Sequence, residues 1–193
     1  MNTLPKDMVG KLIDELSPQD FISFCSSNLD PNVTRICNME EIWERRLKRD
    51  FSKVVERFPN SLKSSKKTYL YLFRSLSEIA EHLTEVVLSR YVKVRKFLSL
   101  EFNKILYTFF YNLSLQALIS GMEEHEYDEL TDSISDKVDD ILRHDDVIDF
   151  AIDYFPGGAF NQDEGELYPY WRSKIGNPLK KSVKEIIDFL KKY

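Results

Sequence analysis

Proline at three predicted helix starts constrains the first part of this chain to a series of short helices. Proline suits the first helical position because its missing N–H would have no partner there, and Ser and Asp are favoured as the preceding cap. The three pairs are Leu4-Pro5, Ser17-Pro18 and Asp30-Pro31. The sequence therefore predicts helices from Pro5 to about Glu15, from Pro18 across Cys25, and from Pro31 to near Cys37.

Apolar residues recur at helical spacing in these segments. In the first helix they form one stripe: Met8, Val9, Leu12, Ile13 and Leu16. The second helix carries Phe21, Ile22, Phe24 and Cys25. We expect Asn38–Glu41 to cap a fourth helix, which contains Ile42, Trp43 and Leu47 and continues toward Phe51.

The remainder of the chain also has helical periodicity. Phe58-Pro59-Asn60-Ser61 is the clearest break, and Ser64 or Ser65 is predicted to cap a long helix whose stripe runs from Tyr69 to Val87. A helix over about 91–120 follows, with Gly121 where a C-cap belongs. Its predicted inner face is Phe102, Ile105, Leu106, Phe109, Leu113 and Ala117. An acidic helix over 127–142, a shorter helix over 145–155, an irregular aromatic stretch over 156–177 and a last helix from Asn177-Pro178 complete the prediction.

The fold class predicted from these elements is all-α, with a helical cluster over residues 1–55 and a second helical domain over 60–193. The 193 residues are 42% hydrophobic and 31% charged, a composition typical of a globular protein. The most apolar stretch, 97–119, contains Glu101, Asn103 and Lys104, so a core helix is expected there and not a membrane span. Cys25 and Cys37 have apolar neighbours and are predicted to be reduced thiols in an intracellular protein, cytoplasmic or nuclear.

Charge is distributed unevenly along the chain, whose formal net charge is −5. Residues 61–104 hold nine Lys/Arg and four Asp/Glu, whereas residues 123–166 hold two and sixteen. The basic residues Arg90, Lys93, Arg95 and Lys96 cluster at a predicted helix junction. Two interpretations stay open: a solvated face that pairs with the acidic block, or a nucleic-acid contact. The negative net charge favours the first, so nucleic acid is not an expected partner.

The order and spacing of the N-terminal features resemble an F-box. The matching residues are Leu4, Pro5, Met8, Leu12, Leu16, Asp20, Phe21, Phe24, Cys25, Ile42 and Trp43. Asp7 stands where the family usually has an acidic residue after Leu-Pro, and the segment 42–51 is similar to the divergent F-boxes of large DNA viruses of amoebae and of some eukaryotes. The extra helix start at Asp30-Pro31 departs from the common family pattern. The resemblance covers about 50 of the 193 residues.

The resemblance implies a docking function. F-box proteins bind the small adaptor of cullin-based ubiquitin ligases through this cluster and hold a substrate protein with the rest of the chain. On that basis the expected partner-binding residues are Leu4, Pro5, Met8, Leu12, Leu16, Phe21, Ile42 and Trp43. The aromatic residues Phe160, Tyr168, Tyr170 and Trp171 form the candidate substrate-binding surface, because Tyr and Trp are frequent interface anchors.

The alternative function is a ligase-independent interaction protein, viral or host, that recruits nuclear or nucleic-acid partners through Arg90, Lys93, Arg95 and Lys96. An enzyme is not expected. His125-Glu126 lacks the second His of a zinc-protease motif, and the aspartates between Asp132 and Asp140 lack the Gly and the final Glu of a calcium loop. Neither a metal nor a cofactor is predicted, and no membrane partner is expected.

Overall fold

The computed structural model describes residues 6–27, 30–90, 100–121, 126–127 and 172–192. The chain is all-α, as the sequence predicts, and the described residues form helices and turns without a strand. The helices are α1 (Lys6–Glu15), α2 (Pro18–Ser27), α3 (Pro31–Cys37), α4 (Glu40–Asp50), α5 (Ser52–Arg57), a 3₁₀-helix (Pro59–Ser64), α6 (Ser65–Arg90), α7 (Leu100–Ser120), a π-helical turn (Arg172–Gly176) and α8 (Asn177–Lys191).

Local capping explains why α2 and α3 begin where the sequence predicts. The Asp20 backbone N–H donates to Ser17 Oγ over 3.1 Å, and that hydroxyl donates to the Asp20 carboxylate over 2.6 Å. The Asp30 carboxylate accepts hydrogen bonds from the backbone N–H groups of Asn32 and Val33. Each cap satisfies amide donors that have no partner within the helix.

The predicted cap of α4 is wrong. Asn38 is the C-cap of α3, and its side-chain oxygen accepts a hydrogen bond from Lys66 Nζ over 3.1 Å. Met39 is the N-cap residue of α4 and provides no side-chain hydrogen bond. The connection between α3 and α4 is so short that Asn38 is used to end the preceding helix.

The predicted break at Phe58–Ser61 is a change of helix type and not an open linker. The short helix α5 precedes it, and the 3₁₀-helix Pro59–Ser64 leads directly into α6. Thr68 Oγ1 donates to the Ser61 carbonyl over 3.0 Å within the buried part of this junction. The sequence analysis missed α5 because its six residues are too few to show a helical period.

The long helix α6 confirms its prediction, and within the described residues the predicted inner face of α7 is confirmed at Leu106 and Ala117 but wrong at Ile105. Leu106, Phe110 and Ala117 are buried in α7, but Ile105, predicted to be inside, is 49% exposed. Gly121 follows α7 with φ 68° and donates its N–H to the Ala117 carbonyl over 3.1 Å, so the predicted C-cap is confirmed. The last helix, α8, buries Leu179, Val183, Ile186 and Leu190.

The chain has two compact units. One extends to Arg74 and includes the chain end from Asp188, and the other comprises Ser75–Ile187. Four aromatic rings form the centre of the first unit: Phe21, Trp43, Phe51 and Tyr69, with ring centroids 4.8–5.6 Å apart. In the same unit the Phe189 ring of α8 stacks on Tyr71 of α6 at 3.7 Å. The predicted division into residues 1–55 and 60–193 stays a prediction.

The two cysteines correct another prediction. Cys25 and Cys37 form a disulfide bond, and their Cα atoms are 5.5 Å apart. Their apolar neighbours along the chain predict reduced thiols, so this prediction is wrong. The pairing arises because α2 and α3 pack against each other with their C-terminal turns adjacent. The thiol argument for an intracellular location is therefore removed.

Candidate functional site

Helix α1 has an apolar surface wider than the core requires. At about 100° per residue, Met8 and Leu12 lie on one side of the helix and Val9 and Ile13 on the other, and Leu16 follows the last helical residue, Glu15. Val9 and Ile13 are fully buried, Leu16 is half-buried, and Met8 and Leu12 are 59% and 38% exposed. One side of the predicted stripe therefore anchors α1 to the core and the other side faces solvent. We call Met8, Leu12 and Leu16 the α1 stripe.

The end of α1 is held in place by Arg46 of α4. The Arg46 guanidinium is fully buried and donates from Nη1 to the Ile13 carbonyl over 3.1 Å and to the Leu16 carbonyl over 2.9 Å. The last carbonyls of a helix have no partner within it, and a cation at that end also complements the helix dipole. Arg46 therefore fixes both the end and the direction of α1.

The charge of Arg46 is compensated within the same buried region. Its Nη2 lies 2.8 Å from the Asp50 carboxylate, one turn further along α4, and its guanidinium lies 4.6 Å from the centroid of the Phe21 ring. The Tyr69 hydroxyl donates to Asp50 over 2.6 Å. Burial raises the pKa of the Tyr69 phenol well above its usual range, and the hydrogen bond to Asp50 raises it further.

Two further arginines of α4 reinforce this attachment at the surface. Arg49 donates to the carbonyls of Asp14 and Leu16, and Arg45 forms an exposed ion pair with the Asp14 carboxylate at 2.9 Å. The three arginines thus hold α1 by its C-terminal turn. Because this turn is fixed, the α1 stripe is presented on a rigid element, which lowers the entropy cost of binding a partner.

The role of these arginines is not among the predictions from the sequence. Two features of the sequence nevertheless point to Arg46. It falls among Ile42, Trp43 and Leu47 on the inward face of α4, and it stands four residues before Asp50. A cation at an inward position of an amphipathic helix needs a buried partner. That argument predicts the ion pair with Asp50, but the two carbonyls of α1 depend on tertiary packing.

Of the other predicted partner-binding residues, three are buried in the first unit and two lie outside the described residues. Phe21 and Trp43 lie in the aromatic core, and Ile42 is 9% exposed, so these three support the fold beneath the surface. Leu4 and Pro5 lie outside the described residues. The same is true of the candidate substrate-binding residues Phe160, Tyr168, Tyr170 and Trp171. Of the basic cluster, Arg90 ends α6, and Lys93, Arg95 and Lys96 lie outside the described residues.

A cavity of about 530 Å³ lies in the second unit. Its polar lining consists of His82, Ser89, Ser173 and Lys174. The Ser89 hydroxyl donates to the Val86 carbonyl over 2.8 Å, within its own helix, and is therefore not directed at His82 as an activated nucleophile would be. Within the described ranges no group of three or more metal-ligating side chains occurs.

Comparison with known proteins adds no family to this picture. No protein-family model matches the chain, and neither a curated protein nor a solved structure matches it. Among the helices that the structure describes, none combines the length and the apolar character that crossing a membrane requires.

Proposed function

We propose that this chain is a non-enzymatic docking protein of the F-box type. Its N-terminal helices bind the small adaptor of a cullin-based ubiquitin ligase, and its second helical domain recruits a protein substrate. The observation that carries the proposal is the α1 stripe. Met8 and Leu12 remain exposed on a helix whose other apolar side already serves the core, and the helix is fixed by Arg46.

The stripe is too small to be a complete interface. A specific protein interface buries roughly 800 Å² on each partner, but a few central anchors contribute most of its binding energy. In the proposal the anchors are Leu4, Pro5, Met8 and Leu12, of which Leu4 and Pro5 lie outside the described residues. The residues Phe160, Tyr168, Tyr170 and Trp171 remain the proposed substrate surface.

Affinity purification with mass spectrometry tests the proposal. The full chain is compared with the double variant Met8→Glu/Leu12→Glu, which places two carboxylates on the α1 stripe and leaves the buried Val9 and Ile13 unchanged. We expect the ligase adaptor and its cullin to co-purify with the wild type and to fall at least about tenfold with the variant, because burying an unpaired charge in an interface is costly.

Ile105→Glu is the control, since it introduces a carboxylate at an exposed apolar residue of α7. Circular dichroism verifies that each variant keeps its helical signal. Equal adaptor recovery from wild type, control and a folded double variant would contradict the proposal. Recovery of nuclear proteins or nucleic acid without the adaptor would favour the ligase-independent alternative.

A further inference from the structure

The disulfide Cys25–Cys37 lies at the wall of a small cavity in the first unit. The cavity has a volume of about 110 Å³, and its lining residues are both cysteines, Ser26, Thr34, Asn38, Trp43, Lys66 and Leu70. The lining thus combines one ammonium group and two hydroxyl groups with two large apolar side chains. It includes no carboxylate from the described residues; the Glu40 carboxylate, which accepts a hydrogen bond from the Lys66 backbone N–H over 3.1 Å, is not part of it. Such a lining favours an anion, and a thiolate is the anion that reacts with a disulfide.

The two cysteine residues differ in exposure. Cys25 is half-buried near the end of α2, whereas Cys37 is 3% exposed at the end of α3. The Cys37 carbonyl accepts a hydrogen bond from Trp43 Nε1 over 2.8 Å, which ties this end of α3 to the aromatic core. Because Cys25 is the more exposed of the two residues, we take its sulfur as the point of attack and Cys37 as the leaving thiolate.

Lys66 is positioned to favour this exchange. Its ammonium group donates to Asn38 Oδ1 over 3.1 Å and lies 5.4 Å from the centroid of the Trp43 ring, on the side of the unit that contains Cys37. A nearby cation attracts an incoming thiolate and lowers the pKa of a departing thiol, and both effects accelerate thiol–disulfide exchange.

We propose that Cys25–Cys37 is a reversible thiol–disulfide exchange site that is reduced by a dithiol through this cavity. One thiolate of the dithiol attacks Cys25 Sγ, the bond between the two cysteines breaks, and Cys37 leaves as a thiolate. The second thiolate of the dithiol then attacks the first sulfur of the dithiol, which is bonded to Cys25 in the mixed disulfide, and Cys25 leaves as a thiolate. Two electrons pass from the dithiol to the protein, the dithiol becomes a disulfide, and both cysteines take up a proton.

Reduction is expected to weaken the first unit. The disulfide closes a loop between residues separated by 12 positions, and such a link limits the conformational freedom of the unfolded chain. Helix α3 packs against α1, so the reduced chain holds the docking helix less firmly. An effect on adaptor binding rests on the proposed function, under which an intracellular disulfide would be of the transient, redox-responsive kind.

The test uses the purified full chain, oxidised with glutathione disulfide, and dithiothreitol in native buffer as the probe. Thiols are alkylated at intervals and counted by mass spectrometry. We expect no free thiol in the oxidised chain and two after native reduction, with a midpoint of thermal unfolding about 5–10 °C lower. Re-oxidation should restore the higher midpoint.

Substitutions of two lysines distinguish an effect of the cavity from the general reactivity of the disulfide. Lys66→Gln should slow reduction by about threefold or more, whereas Lys63→Gln, at an exposed site that does not line the cavity, should change the rate less than twofold. In the variant Cys25→Ser/Cys37→Ser, dithiothreitol should leave the unfolding midpoint unchanged.

Three results would overturn the inference: a chain that forms no disulfide with glutathione disulfide, a disulfide that dithiothreitol reduces only after denaturant is added, or equal rates for the two lysine variants. None of these measurements involves a partner. A chain that exchanges its disulfide but binds no ligase adaptor would therefore contradict the proposed function alone.

Discussion

At the scale of single residues, one buried cation determines how the candidate docking helix is held. Arg46 makes contacts with two carbonyls of α1, with the Asp50 carboxylate and with the Phe21 ring. A buried ion pair is often no more stabilising than apolar residues of the same size, but removal of one partner leaves the other charge uncompensated. Arg46 is thus the buried part of an attachment that Arg45 and Arg49 reinforce at the surface.

Substitution of Arg46 should therefore be severe. We expect Arg46→Ala to lower the free energy of unfolding by about 3–5 kcal/mol, measured by urea denaturation, because Asp50 loses its counter-charge and α1 loses two hydrogen bonds. Arg45→Ala, which removes only the exposed pair with Asp14, should cost less than about 1 kcal/mol. Similar small costs for both variants would show that Arg46 does not hold α1.

Tyr69 gives the first unit a defined response to alkaline pH. Its pKa is raised in the folded chain, whereas the pKa of a tyrosine in an unfolded chain is about 10. Above that pH the unfolded chain releases a proton that the folded chain keeps. This contribution to stability is therefore complete below about pH 10 and is lost as the pH rises toward the pKa of the folded state.

The variant Tyr69→Phe isolates this contribution. The free energy of unfolding of the wild type should fall more steeply between about pH 10 and about pH 11 than that of Tyr69→Phe, by up to ~1.4 kcal/mol per pH unit. The other tyrosines and the lysines are common to both chains and do not affect the difference. Parallel pH profiles would show that Tyr69 ionises as freely in the folded chain as in the unfolded one.

At the scale of helices, the sequence predicts where a helix begins better than it predicts which side of the helix is buried. Ser17, Asp30 and the prolines after them locate α2 and α3 because capping depends on neighbouring residues. The predicted inward face of α7 is wrong at Ile105. Because α7 is apolar over much of its surface, the residues that pack against it decide which side is buried. A single apolar stripe, as in α8, leaves less ambiguity, and Leu179, Val183, Ile186 and Leu190 are buried there.

The candidate site was predictable only in part. The sequence places Met8, Leu12, Val9 and Ile13 on one continuous stripe of α1, and it does not determine where the core ends along that stripe. The boundary depends on α3, which covers one side of α1, and on Arg46, which fixes the helix end. The disulfide was missed for the same reason, since the approach of Cys25 to Cys37 is a property of packing.

At the scale of the whole molecule, the first unit combines distant parts of the chain. Phe189 near the end of the sequence stacks on Tyr71, and Leu190 is buried. The unit that contains α1 therefore also includes residues from α6 and α8. Experiments on docking should consequently use the full chain.

Under the proposed function, α1 presents a docking surface to the ligase adaptor. Hydrogen–deuterium exchange of the full chain, alone and with the purified adaptor, reports on this surface residue by residue. We predict that the adaptor slows exchange by about tenfold or more in Lys6–Glu15, and that Met8→Glu/Leu12→Glu abolishes this protection while Ile105→Glu keeps it. Unchanged exchange in Lys6–Glu15, or protection that persists in the folded double variant, would contradict the account.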